Sequence, residues 1–161
     1  MIPVNARCYF VLLLSLRCVF SLHAQKPTSS AYFELGGSGG VGSFNYEKIF
    51  FSRPAIQTGW RVGFSLAPID RNNGAGIVLP IHFITLIGPK KNQLDLGFGQ
   101  GITLTTKGSF FALTNLVVGW RHAFKNEKWY LRVAYTPLVS YLTDFQWQHW
   151  AGISIGYNLK K

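Results

Sequence analysis

From Ala31 onward the apolar residues of this chain recur with a period of two, and no stripe with a period near 3.6 accompanies them. That periodicity predicts strands and not helices. The clearest stretch sets Leu94, Leu96, Phe98, Ile102 and Leu104 on one parity against Asp95, Gly97, Gly99, Gly101, Thr103 and Thr105 on the other. The same contrast returns where Trp60, Val62, Phe64 and Leu66 alternate with Gly59, Arg61, Gly63 and Ser65. It returns again in Trp129, Leu131, Val133 and Tyr135 against Tyr130, Arg132, Ala134 and Thr136, and in Ile153, Ile155, Tyr157 and Leu159 against Gly152, Ser154, Gly156 and Asn158. Each strand has one large apolar face and one face that is tiny or polar.

Turn-forming residues interrupt the pattern at 36–42, 52–57, 70–74, 89–92, 106–109, 125–128 and 142–149. Seven connections imply eight strands, and residues 25–161 then supply about 17 residues for each strand with its link, in keeping with membrane-crossing strands of about 9 to 11 residues. The expected fold is all-β: a single closed, antiparallel, up-and-down barrel of about eight strands.

Which face turns inward follows from the second parity. A soluble barrel encloses its apolar face and shows water a charged one, yet Gly59, Gly63, Gly97, Gly99, Gly101, Gly152 and Gly156 make a poor solvent surface. Small residues suit the crowded interior of a narrow barrel. Arg61, Arg121 and Arg132 share that parity; each would cost about 2 to 4 kcal/mol facing lipid at the midplane. Together that is comparable with a whole domain's stability of about 5 to 15 kcal/mol. The expectation is an interior charge cluster of Glu34, Arg61, Asp95, Arg121 and Arg132 that plugs the lumen, with a selective pore as the lesser alternative. Lys48 falls on the outward parity, tolerable if it snorkels to a rim, and Pro80 inside the run 77–87 suggests a bulge.

Aromatics gather near the expected strand ends: Phe50, Phe51, Trp60, Trp120, Phe124, Trp129 and Tyr130 toward one rim, Tyr141, Phe145, Trp147 and Trp150 toward the other. The five tryptophans, Trp60, Trp120, Trp129, Trp147 and Trp150, are the expected core of two interfacial girdles.

Composition agrees with a chain short of water-facing charge: of 161 residues 48% are hydrophobic and only 14% charged, against about 25% charged in ordinary soluble domains. Part of this lies in residues 1–24, where a basic start, the apolar run 8–20 and Leu22, His23 and Ala24 before Gln25 read as a cleaved secretory signal. Residues 25–161 are the expected barrel domain. Arg17 breaks the apolar run, which argues against a retained anchor, and it sits where lipoprotein processing at Cys18 needs a small side chain. Both cysteines, Cys8 and Cys18, fall in this segment, so no disulfide framework is expected.

The net charge is +10. Its cations are scattered or paired at turns (Lys90 and Lys91, Lys125 and Lys128, Lys160 and Lys161), with no basic helix or RNA-type motif, so nucleic acid is not an expected partner. Gly37, Gly39 and Gly42 satisfy G-x-G-x-x-G in form, but an alternating aromatic stretch follows where a dinucleotide site needs a helix; a flexible hairpin loop is expected instead. His82, His122 and His149 form no metal-ligand pair, and Ser154, His149 and Asp144 form a Ser/His/acid trio only in composition. No His-x-Ser pair of the lipid A deacylase kind is present. No cofactor, no metal and no catalytic residue is expected.

The segments FELGGSGGVGSFNYEK, GWRVGFS, QLDLGFGQGITL, WYLRVAYTPL and WAGISIGYNL give the chain beyond the signal a pattern that resembles the small outer-membrane β-barrel proteins of Bacteroidota. The resemblance implies an outer-membrane location in a Gram-negative cell, insertion by the barrel-assembly machinery, contact with outer-membrane lipid and lipopolysaccharide, and a monomer. It carries no catalytic residue over. One departure is the ending Lys160 and Lys161, where many such barrels end in an aromatic; Tyr157 and Leu159 stand nearest to that role. The leading functional expectation is a structural or surface-interaction barrel; the alternatives are a soluble periplasmic ligand-binding barrel and a lipid A-modifying membrane enzyme.

Overall fold

The computed structural model describes residues 28–140 and 145–159. The expected signal segment 1–24 with its cleavage site and both cysteines, Tyr141, Asp144, Lys160 and Lys161 lie outside the described residues.

Ten strand segments build one sheet: β1 (Thr28–Gly36), β2 (Gly42–Ser52), β3 (Ile56–Asp70), β4 (Gly74–Ile87), β5 (Asn92–Thr105), β6 (Phe110–Ala123), β7 (Trp129–Tyr135), β8 (Leu138–Ser140), β9 (Gln146–Gln148) and β10 (Ala151–Leu159). Sequential neighbours pair antiparallel, and the first strand β1 pairs with the last, β10, so the sheet closes on itself and leaves no edge along its wall. The ten segments make eight staves. β7 and β8 run in one register along β6 (Val118↔Tyr135, then Thr114↔Val139) and are interrupted only at Thr136 and Pro137. β9 and β10 likewise continue one register across β8 and β7 (Leu138↔Gln148, Tyr135↔Ala151), interrupted at His149 and Trp150. The result is a closed, antiparallel, eight-stranded barrel.

Two details differ from the sequence expectation. The last connection was expected over 142–149, but Gln146–Gln148 pair with β8 as a strand. Pro80 makes no bulge: pairing of β3 with β4 stops at Val62↔Ile81 and resumes in the same register at Ser65↔Val78. The Pro80 ring is fully buried and lies where a side chain on Gly63 would stand, so the missing donor is absorbed by a local gap instead of a register slip. The irregularities fall elsewhere, between Ile49 and Phe51 in β2 and between Pro68 and Asp70 in β3, close to opposite ends of the wall, where bulges let a strand bend away from the ladder.

Along the staves one parity is buried and the other exposed, except over β8, whose three residues are all half-buried, and β9, whose three are all exposed. The exposed parity is apolar on all sides of the barrel, with Phe44 70%, Leu66 66%, Phe98 59% and Ile155 50% exposed. The inward parity is polar, and its buried members outnumber the buried hydrophobic ones. An apolar core in the usual sense is reduced to two small groups, Tyr32 with Ala123 and Tyr130, and Ile49 with Ile84 and Leu86.

Candidate functional site

The interior is organised by one chain of alternating acids and bases. Arg132 on β7 donates from Nη1 to Glu34 Oε1 on β1 at 2.6 Å and from Nε to Asp95 Oδ2 on β5. Asp95 Oδ2 also accepts from Arg61 Nη2 on β3 at 2.8 Å. Arg61 reaches on to Glu47 on β2, through Nε at 3.2 Å and Nη2 at 2.8 Å. Glu47 takes Arg121 on β6 in a two-point contact, Nη1 to Oε1 at 2.8 Å and Nη2 to Oε2 at 2.6 Å. Three guanidiniums thus face three carboxylates, and six strands from around the wall are tied together across the centre. All ion pairs found among the described residues belong to this chain.

Alternation is what makes such burial tolerable. Desolvating an unpaired ion costs several kcal/mol, which good geometry and further hydrogen bonds recover only when each charge has an opposite neighbour. Here Asp95 and Glu47 each serve two arginines, and Ser154 Oγ lies 3.2 Å from Arg132 Nη1 and 3.3 Å from Glu34 Oε1. Tyrosine rings complete the cage: Tyr130 lies under the Arg121 guanidinium at 4.3 Å, and Tyr32 lies 5.4 and 5.7 Å from those of Arg61 and Arg132.

The structure brings Glu34, Arg61, Asp95, Arg121 and Arg132 together. Sequence reasoning missed Glu47, the link between Arg61 and Arg121. The signal was present, because Lys48 takes the outward parity and its neighbour Glu47 must then face inward, as Ser43 and Asn45 do. It also put Tyr130 on a rim, whereas its ring is fully buried: Tyr130 has the parity of Arg132, and parity prevails over position near a strand end. Buried His82, paired across the ladder with Arg61, has no protein partner on either ring nitrogen, nor has Arg61 Nη1 or Asp95 Oδ1.

The two ends of the barrel differ. At the end opposite Thr28 and Leu159, the distal end, the β1–β2 connection, expected as a flexible hairpin loop, folds inward, with the 3₁₀ turn Gly37–Gly39 buried. Gly37 makes this possible, with φ of +76° and no side chain to collide with the Glu34 carboxylate beneath it. At the proximal end, marked by Thr28 and Leu159, a vestibule of about 220 Å³ leads down to Glu47, Arg121 and Tyr130.

Trp60, Trp120 and Trp129 lie on the outer face toward the proximal end, with Trp60 5.6 Å from Tyr46 and Trp129 5.0 Å from Tyr157; Trp147 and Trp150 are exposed at the distal end. Lys48 stands beside Trp60 and Ser29 in register, near the proximal rim. Aromatics are not confined to the ends, since Phe44, Phe64 and Phe98 occupy the outer face between them. Ser154 and His149 do not meet: Ser154 is held in the interior, while His149 Nδ1 lies against the Tyr135 hydroxyl on an exposed rim. His122 pairs with Asn92, and no group of His, Cys, Asp and Glu fit to hold a metal occurs among the described residues.

These features define a class, the closed eight-stranded antiparallel barrel with a polar, ion-paired interior and an apolar exterior. No protein-family model matches the chain, and no curated protein does. Among solved structures its fold is similar to the N-terminal β-barrel domain of OprF from Pseudomonas aeruginosa, with a TM-score of 0.57 at 13% identity, covering 85% of this chain and 100% of that one. Weaker matches are the de novo designed TMB2.3 (TM-score 0.45, 12% identity, 83% and 95% covered) and Ail of Yersinia pestis (0.42, 11%, 83% and 97%). At such identities the likeness to OprF is one of fold.

Proposed function

We propose that the protein is a small integral barrel of the outer membrane of a Gram-negative cell, with a structural or surface-interaction role, its lumen plugged by the acid–base chain. The observation that carries this reading is the inversion of polarity: charges at the centre and large apolar side chains exposed on every stave. Soluble monomers rarely expose contiguous apolar patches beyond a few hundred Å², whereas a closed barrel satisfies its backbone internally and meets lipid with such a face. The tryptophans toward both ends suit headgroup depth, and the resemblance to small Bacteroidota barrels points the same way. In this reading outer-membrane lipid and lipopolysaccharide surround a monomer inserted by the barrel-assembly machinery, and the distal connections are the surface offered to partners.

The test is a cold-versus-boiled gel shift of the detergent-extracted membrane fraction, with N-terminal sequencing of the band. The expected result is a heat-modifiable band that requires detergent and starts near Gln25. A band that extracts without detergent and does not shift on boiling would sink the proposal in favour of a soluble ligand-binding barrel.

A further inference from the structure

The distal wall has a step. β1 ends at Gly36, opposite Gly152, and β2 first meets β3 at Ser43, opposite Ser65, because the connection between β1 and β2 turns into the lumen. Their neighbours reach further: β3 runs on through Asp70, and the last stave begins at Gln146, beyond the level of Gly152. Among the described residues no strand fills the two wall positions above β1 and β2. With strands about 4.8 Å apart, β9 and the end of β3 are separated there by three intervals, or about 14 Å.

The hydrogen-bond pattern shows what β9 presents to this step. Thr136 N donates to Trp150 O at 2.7 Å, which makes Thr136 and Trp150 a hydrogen-bonded pair of the antiparallel ladder. The register Leu138↔Gln148 and Tyr135↔Ala151 then fixes the alternation: Gln146 and Gln148 turn their backbone groups toward β8, while Trp147 and His149 turn theirs to the open side. Ala151, next on that parity, points its carbonyl at β1, where a side chain on Gly36 would stand. Trp147 and His149 thus offer two N–H and two C=O groups about 6.8 Å apart, the repeat that one added antiparallel strand requires.

The two sides of the step are not equally protected. Exposed edges are blunted by proline, charge or a bulge. On the β3 side Pro68 lacks an N–H, and the register slips between Pro68 and Asp70. From Gln146 to Trp150 there is no proline, Lys, Arg, Asp or Glu, and every residue is exposed.

We infer that the open edge of Gln146–Trp150 is a docking site for an extended segment of another polypeptide, which adds antiparallel in the position above β1 through backbone hydrogen bonds. A second copy of this chain does not fit. Copies that share one membrane orientation are related by a two-fold axis along the membrane normal, so their edge strands, each tilted by about 35 to 45°, would cross at roughly 70 to 90° and could not pair. That exclusion rests on the membrane reading, whereas the edge itself rests on the fold.

The probe is a heptapeptide selected by phage display against the chain folded in maltoside micelles, with its barrel state verified by gel shift. Amide hydrogen exchange is followed by NMR with and without saturating peptide. The expected result is exchange slowed about tenfold or more at Trp147 and His149 and unchanged at Gln146 and Gln148. His149→Pro removes a donor from the open side only, a place where an edge strand tolerates proline, and is expected to weaken the peptide about tenfold while still migrating as a folded barrel. Should that variant not fold, the alternating pattern in the parent decides. A library that yields no such peptide, protection that does not alternate, or equal affinity in folded His149→Pro overturns the site. In phosphatidylcholine nanodiscs both amides are expected to exchange rapidly before peptide is added; slow exchange there would mean that lipid or a second copy already covers the edge, and also overturns it. Each of these outcomes leaves the gel-shift test of the barrel untouched.

Discussion

Asp95 is fully buried and holds two guanidiniums on a single oxygen, so it is the most consequential side chain in the interior. Replacing it with leucine leaves Arg61 without one partner and Arg132 without another, and breaking a buried pair from one side costs about 3 to 5 kcal/mol. Asp95→Leu is therefore expected to lower unfolding stability in micelles by that amount, read from tryptophan fluorescence in urea. Ser30→Ala, which removes a 3.3 Å hydrogen bond to Glu47 and another from the buried Tyr130 hydroxyl, should cost about 1 to 3 kcal/mol. A loss below 1 kcal/mol for Asp95→Leu would show that the network does not hold the fold. At this scale the sequence was informative wherever alternation was clean. Asp95, Arg61 and Arg132 are flanked by large apolar residues on both sides, and their inward orientation could be read directly. Glu47 was overlooked because a cation follows it and the glycine-rich stretch before it blurs the parity, although Phe44 and Tyr46 preserve it.

Among the elements, the inward-folded β1–β2 connection is the least legible in sequence. Its glycines announce a turn, but nothing local tells a turn that projects from one that tucks in; the decision is made by Glu34, whose carboxylate lies beneath Gly37. Gly37 and Gly108 both have positive φ, yet a Cβ on Gly108 would meet nothing within 4 Å. Gly108→Ala should cost only the backbone strain, about 1 kcal/mol. Gly37→Ala adds a collision with Glu34 and should be worse by a further 1 to 2 kcal/mol or so. Side-by-side urea titrations of the two variants measure the difference, and equal losses would mean that the turn does not pack on the carboxylate. The strand boundaries, by contrast, followed the turn residues closely, because Gly, Pro and Asn act locally. The exceptions were Gln146–Gln148, which pair only through register with β8, and Pro80, whose effect depends on the space left by Gly63.

For the molecule as a whole, closure and polarity were legible while the end-to-end asymmetry was not, since that asymmetry depends on which turns come to lie side by side. The envelope makes its own prediction. Phe98 is 59% exposed near the middle of β5, and Phe98→Arg should cost about 2 to 4 kcal/mol in a bilayer, the range for a cation at the midplane. Folding yield and stability in phosphatidylcholine vesicles measure it, and a variant as stable as the parent would place this face in water.

The pairing of β1 with β10 has a consequence for the order in which the protein assembles. Glu34 waits for Arg132, 98 positions later in the chain, and the seam that seals the wall joins Ser29 to Leu159. Contacts so distant in sequence carry a high entropic cost before they return anything. A nascent sheet of β1 to β6 would already contain Glu34, yet lack the cation that neutralises it. The first strand is thus committed early and satisfied last, which disfavours a stable half-barrel and makes the final strand the step that locks the rest.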